Sequence, residues 1–249
     1  MQATDAINRM WIRSKSHPGT FLLSDRNTLN SALERLLPNE HQPDNRTEPL
    51  NLIMPAYETM WRVVILTFVS VASRNRDPRT AEELREAVKN VPQCFCQGND
   101  AETRALAIAK EGLRLYPPTK HIHRARSIAD NDTSVIVADV EACSRDYRVW
   151  GADALEFKPA RFHDWPREDT LKKLSYFPFG VGRHVCPASA GFAPRMITLL
   201  VVELTRRFGT WQTGLRIRLG DVEVQPQVPS LLPSGRIDME NWVLDMDID

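Results

Sequence analysis

The sequence has no net charge, few cysteines and no long apolar run. Lysine plus arginine and aspartate plus glutamate both number 32 in 249 residues, so the formal charge is zero. That balance excludes a nucleic-acid binder driven by bulk charge, though not a local basic patch. Four cysteines, Cys94, Cys96, Cys143 and Cys186, are too few for a disulfide scaffold, and their spacings do not read as a zinc site. Cys94-Phe95-Cys96 is best read as unrelated thiols in a loop. The most apolar stretch, Val63 to Ala72, is about half of what a bilayer crossing needs, and Met196 to Leu204 is also too short. At the start, Arg9, Arg13 and Lys15 bracket only Met10, Trp11 and Ile12, which is no signal peptide. Internal repeats and low-complexity tracts are absent.

What is present is an ordinary globular composition, 42% hydrophobic and 26% charged, sufficient for one substantial core. Residues 1–45 are polar and weakly patterned, with a short helical signal at Leu29 to Leu37 and a loop from Pro38 to Asn45. Residues 46–249 form the patterned region. Apolar spacing predicts a long buried helix over 48–73, bent or effectively begun at Pro55 and ended by Asp77 and Pro78. Thr80 then reads as the N-cap of a short helix to about Val91, with Glu82 and Glu83 in its first turn. Asp100 to Leu115 is a strong amphipathic helix stopped by Pro117 and Pro118. Alternation at Ser134 to Val140 predicts a strand. Residues 156–186, rich in proline, glycine and aromatics without periodicity, read as a long ordered loop. A last apolar helix runs to about Phe208, and a hairpin is expected from Leu215.

The segment Phe177-Pro-Phe-Gly-Val-Gly-Arg-His-Val-Cys-Pro-Ala188 within and after that loop carries the chemistry. Gly180 and Gly182 permit tight backbone turns closed to other residues. Such a turn can aim backbone amides at the sulfur of Cys186 and favour its thiolate, with Phe179 shielding it from water. The following helix adds its N-terminal dipole, which Pro194 would weaken by delaying or kinking that helix. A lone Gly-x-Gly before a cysteine is by itself more often structural.

The full pattern resembles the cytochrome P-450 signature Phe-Gly-x-Gly-x-Arg-x-Cys-x-Gly. Phe179, Gly180, Gly182 and Cys186 match, His184 stands for the usual arginine and Ala188 for the last glycine; Phe192-Ala193 continues the likeness. Three further motifs follow the family's order. Glu111 and Arg114 form a Glu-x-x-Arg pair followed by Leu-Tyr-Pro-Pro. Phe157-Lys-Pro-Ala-Arg-Phe162 resembles Phe-x-Pro-x-Arg-Phe. Pro55-Ala-Tyr-Glu-Thr-Met60 resembles the oxygen-helix segment, matching at Glu58 and Thr59 and departing at Pro55, Ala56 and Met60. Ser144 to Gly151 is similar to a strand turn of the family.

The resemblance implies a mainly α fold with small β-sheets, the C-terminal haem-binding half of that architecture, N-terminally truncated because members are about twice this length. It implies haem b with the Cys186 thiolate as axial ligand, which pushes electron density towards bound oxygen. His184 and Arg124 are then propionate contacts, and Phe179 and Gly182 shape the cofactor loop. Glu58 and Thr59 deliver protons, and Glu111, Arg114 and Arg161 form a structural triad locking the loop. The expected partners are an NADPH-dependent reductase, for which Lys172 and Lys173 are candidate contacts, and a small apolar substrate. Nucleic acid and a transmembrane anchor are not expected, and the location is cytoplasmic or peripheral to the endoplasmic reticulum. The Cys-Pro-Ala and Phe-Ala-Pro-Arg style is similar to fungal secondary-metabolism members. Two other readings stand beside the enzyme: a non-catalytic remnant or haem-binding interaction module, and a haem-free helical protein that keeps the motifs.

Overall fold

In the computed structural model the described residues are 5–7, 9, 10, 13, 22–36, 59–75, 77–89, 100–129, 132–164, 169–189, 191–224, 231–235 and 242–246. The chain divides into two compact units, Met1–Tyr57 and Glu58–Asp249. In the first, helix α1 (Leu23–Leu36) starts earlier than the apolar pattern alone indicated. Leu29 and Leu33 on one of its faces bury against Ala6 and Ile7. Arg9 pairs with Asp25 at 2.9 Å.

The second unit is built around helices. Helix α2 (Trp61–Phe68) is apolar on most sides and passes without a break into a π-helical turn, Val69–Arg74. The expected 48–73 helix is therefore described from Thr59 onward, and its Pro55 end lies outside the described residues. Helix α3 (Pro78–Lys89) follows. Its cap differs from expectation: the Asp77 carboxylate accepts from the Arg79 amide at 3.1 Å and the Thr80 hydroxyl at 3.1 Å. Asp77 therefore caps, and Pro78 takes the first helical position, where its missing N–H costs nothing.

Helix α4 (Asp100–Leu115) matches the expected span and is buried on most sides rather than one. Its small residues Ala105, Ala107, Ala109 and Gly112 let neighbours approach closely. Strands β1 (His121–Ala129) and β2 (Asp132–Asp139) form an antiparallel ribbon with His121 opposite Asp139 and Arg124 opposite Ile136. Residues 144–151, expected as a strand turn, are helical: α5 (Val140–Arg145) and α6 (Tyr147–Trp150). Asp139 and Asp146 each accept from a backbone amide two or three residues on, which starts a helix at both points.

The 156–186 segment contains a 3-10 turn, Pro159–Phe162, and one short helix, α7 (Thr170–Ser175). Helix α8 (Phe192–Phe208) then begins directly after Gly191. Pro194 neither delays nor kinks it, because it sits in the first turn, where an N–H has no intrahelical acceptor. Strands β3 (Leu215–Leu219), β4 (Val222–Glu223) and β5 (Trp242–Met246) close the chain as an antiparallel sheet in the order β4-β3-β5.

The main core lies where α2, α3, α4 and α8 meet β3. It contains Val64, Phe68, Leu84, Ile108, Leu113, Ile197, Val201 and Ile217. Each large side chain fully buried there contributes about 1.5–3 kcal/mol. Among the described residues no helix is long and apolar enough to cross a membrane.

Candidate functional site

The cysteine loop is a small closed turn. Gly180 (φ 77°) and Gly182 (φ 67°) both adopt the left-handed backbone that a side chain would strain. The Gly180 amide donates to the Phe177 carbonyl at 3.0 Å, and the Cys186 amide closes the turn on the Phe179 carbonyl at 2.9 Å. A 3-10 turn, Gly182–His184, fills the middle, and a second, Pro187–Ser189, leads away. The loop amides of Val185 and Cys186 are thus spent on carbonyls rather than directed at sulfur. Cys186 is a free, half-buried thiol. Phe179 points into the main core, so it anchors the loop from below.

The loop near the thiol is open and mixed in character, with exposed Arg183 and His184 between the apolar residues. Val181, Val185 and Phe192 are 61%, 46% and 58% exposed, and a Cβ at Gly182 would meet nothing within 4 Å. Flanking residues of this kind fit the face of a large flat apolar ligand, whose docking would cover them. A free thiol supplies one soft donor. Among the described residues no group of three or more histidine, cysteine or acidic side chains could hold a metal by itself. A single thiol such as Cys186 fits as one donor to a metal already held within a cofactor.

The loop's upstream flank is held by buried charge. Glu111 and Arg114 on α4 are both 0% exposed. The Arg114 Nε and one terminal nitrogen donate to the two Glu111 oxygens at 2.7 and 2.8 Å. Its remaining donors reach the carbonyls of Ser144 (2.8 Å), Ala154 (2.7 Å) and Glu156 (3.2 Å). The guanidinium also lies 4.9 Å from the centre of the Trp150 ring. Glu111 in turn accepts from the Lys158 amide at 2.9 Å. Arg161 Nε stands 3.4 Å from Glu111, an ionic contact without hydrogen-bond geometry. The terminal nitrogens of Arg161 bind the Trp150 and Asp153 carbonyls instead.

Asp153, which the sequence did not single out, completes this network. Its carboxylate lies 2.8 Å from Arg161 and 2.7 Å from Lys158 Nζ. Burial pushes its pKa up, but hydrogen bonds from Lys158 and Arg161 outweigh that and hold it below the usual carboxylate range. Nothing in its neighbourhood separates it from other loop aspartates. The ion pair between Arg195 on α8 and Glu102 on α4 was also missed, because its partners stand 93 positions apart.

The remaining candidates are dispersed. Thr59 is half-buried at the start of the helical run leading into α2, and Glu58 lies outside the described residues. Helix α2 packs against both α4 and α8, which places the Thr59 helix and the post-cysteine helix in one bundle. Arg124 is exposed on β1 and donates to the His123 carbonyl at 3.0 Å. His184 is exposed and accepts from its neighbour Arg183 at 3.0 Å. Cys94 and Cys96 lie outside the described residues.

The chain is mainly helical with small antiparallel sheets and carries a cysteine in a glycine turn and a buried Glu-x-x-Arg pair, as the resemblance in its sequence implies. The comparisons agree. The family model described as Cytochrome P450 matches residues 39–213, and the chain belongs to that family. Cytochrome P450 71A15 of Arabidopsis thaliana is 33% identical over 119 residues, 45% of this chain and 24% of that protein. Indoleacetaldoxime dehydratase of the same plant is 28% identical over 148 residues, 53% of this chain and 29% of its own length. Among solved structures, CYP175A1 from Thermus thermophilus superposes with a TM-score of 0.56 at 21% identity, covering 91% of this chain and 57% of that one. The cytochrome P450DA heme domain gives 0.54 at 15% identity, with 91% and 57% covered. These two show the fold, and the chain spans little more than half of either.

Proposed function

We propose that this chain is the cysteine-bearing part of a haem-thiolate monooxygenase that acts on a small apolar organic substrate, in the manner of secondary-metabolite oxidation. The observation that carries the reading is Cys186: a free thiol in a closed glycine turn that also carries the exposed apolar side chains Val181 and Val185. Haem b is the cofactor, and when bound through a cysteine thiolate it supplies oxygen activation by electron donation from sulfur. Cys186 would be its axial ligand. Gly182 has open space around it in the loop, and Phe179 ties the loop to the core.

Arg124 and His184 are the proposed propionate contacts, and both are exposed. Thr59 and Glu58 would pass protons from water towards the distal side, with the threonine hydroxyl fixing the last donor. Electrons come from NADPH through a separate reductase, for which Lys172 and Lys173 form a candidate contact. The setting is the cytoplasm or the endoplasmic reticulum surface.

The test is the absorption spectrum of the purified, reduced, carbon-monoxide-bound protein beside Cys186→Ser. The parent should show the long-wavelength Soret band of thiolate ligation, and the serine variant should lose it. Protein that stays colourless after haem supplementation, or pigment unchanged by the substitution, refutes the assignment. Substrate-dependent NADPH consumption with a reductase separates the monooxygenase from a module that binds haem without turnover.

A further inference from the structure

Helix α4 carries two buried carboxylates paired with arginine, and only one of them, Glu111 with Arg114, belongs to the network described above. At the other end of α4, Glu102 is 4% exposed and accepts from Arg195 twice, from Nε at 3.0 Å and Nη2 at 2.8 Å. Arg195 lies in the first turn of α8, and its amide makes that helix's first bond, to the Gly191 carbonyl at 3.2 Å. One turn on, the Thr198 hydroxyl donates to the Pro194 carbonyl at 2.8 Å with the Ala105 carbonyl 3.4 Å away. A further turn on, Val202 packs on Ala105 and Ala87. Positions 195, 198 and 202 share one face of α8, and 102 and 105 share one face of α4.

Arg195 sits against local preference. A cation in the first turn faces the positive end of the helix dipole and is disfavoured there. Glu102, an anion in the first turn of α4, is favoured. A residue held against its local preference is accounted for by a tertiary contact, and here that contact is the buried Glu102 carboxylate. Among the described residues between Arg195 and the thiol are the 3-10 turn Pro187–Ser189, whose Ser189 amide binds the Cys186 carbonyl at 3.0 Å, the left-handed Gly191 and the first residues of α8. Arg195 and Cys186 are nine positions apart, so a shift in the first turn of α8 has a short stretch of backbone through which to reach the thiol.

We infer that Arg195 and Glu102 are positioning residues, a second clamp that fixes the sulfur of Cys186 relative to a bound haem. This rests on the haem-thiolate reading. The clamp does not touch the cofactor. It sets where the thiol stands, and so how firmly the sulfur–iron bond persists.

The experiment uses the full chain as parent, Arg195→Ala, Arg195→Lys and Glu102→Gln, with Cys186→Ser alongside. Far-UV circular dichroism reports folding. The reduced carbon-monoxide spectrum reports the ratio of the thiolate-type band to the shorter-wavelength band of protein that has lost the sulfur ligand. Arg195→Ala should keep its helical signal while that ratio falls about tenfold, since both hydrogen bonds from Arg195 to the buried Glu102 carboxylate are lost. Arg195→Lys should recover most of it, and Glu102→Gln should lie between.

A parent ratio retained in Arg195→Ala, or a lowered melting temperature with no change in the ratio, overturns the inference. If Arg195→Ala does not fold, Glu102→Gln decides, and a parent-like ratio there overturns it equally. A parent that lacks the thiolate band, and so looks like Cys186→Ser, refutes the haem reading itself and the clamp with it.

Discussion

Truncating Glu111 to alanine removes the charge on which two arginines converge. The carboxylate is fully buried, accepts two charge-assisted hydrogen bonds from Arg114 and one from the Lys158 amide, and lies 3.4 Å from Arg161. Opposite charges about 4 Å apart attract by about 4 kcal/mol at an effective dielectric near 20. Desolvation offsets much of that in the intact group, but in the variant Arg114 stays buried with its carboxylate gone. Its three carbonyl partners, Ser144, Ala154 and Glu156, soften the loss without neutralising the charge. The expected cost is about 3–5 kcal/mol, a large part of the roughly 5–15 kcal/mol that holds a domain folded. Arg161→Ala should cost less, about 1–3 kcal/mol, because its hydrogen bonds go to two carbonyls and Glu111 keeps Arg114. Urea unfolding followed by tryptophan fluorescence measures both, with Trp150 against Arg114 as reporter. Haem uptake should fail in Glu111→Ala before helix content does. The reasoning is refuted if Glu111→Ala lies within about 1 kcal/mol of the parent, or if Arg161→Ala is the more damaging.

Two other outcomes follow from packing and titration. A Cβ added at Gly112 would overlap the Oγ1 of Thr67 where α4 crosses α2, so Gly112→Ala should cost about 1–3 kcal/mol. Thr67→Ala in the same chain should restore part of the loss, and the urea midpoints of the single and double variants check it. Burial raises the pKa of Tyr116, whose hydroxyl accepts from Ser70 Oγ at 3.3 Å and the Leu232 amide at 3.5 Å, and burial also raises that of Tyr176. The unfolded phenols ionise near pH 10 while the folded ones stay protonated. The stability they carry is therefore whole below about pH 10 and is lost as pH rises beyond it. Urea midpoints between about pH 8 and 11 should show that decline, and Tyr116→Phe should flatten it.

The parts of the fold that local chemistry determines were legible. Asp100 to Leu115 has helical spacing, acids in its first turn and two prolines to stop it, and the helix spans those residues. Alternation at Ser134 to Val140 predicts a strand, and β2 contains that stretch except Val140, which begins α5. What the residues could not show is set by distant partners. The 144–151 stretch resembles a strand turn, yet two aspartate caps within eight positions make it helical. Thr80 looks like a better cap than it is, because Asp77 reaches both its hydroxyl and the Arg79 amide. At the site, Glu111 and Arg114 stand three apart on one helix and could be read as a pair. Glu102 with Arg195, and Asp153 with Arg161, are joined only by the fold.

The buried charge has a physical cause in the sequence itself. The ends of α5 and α6 and the residues from 151 to 158 lie close to α4, and among the described residues no strand pairs with them to take up their carbonyls. Their carbonyls would be left without donors in the interior, at about 1–3 kcal/mol each. Two guanidiniums meet that need: Arg114 binds the carbonyls of 144, 154 and 156, and Arg161 those of 150 and 153. Lysine cannot substitute, since three donors on a point charge do not match five in a rigid plane. The two positive charges then require a buried anion between them, and Glu111 supplies it. The triad therefore takes the place of a hydrogen-bonded ladder for an irregular segment. That is why it lies under the flank of the cysteine loop and not on the helix surface, where a Glu-x-x-Arg pair would ordinarily be found.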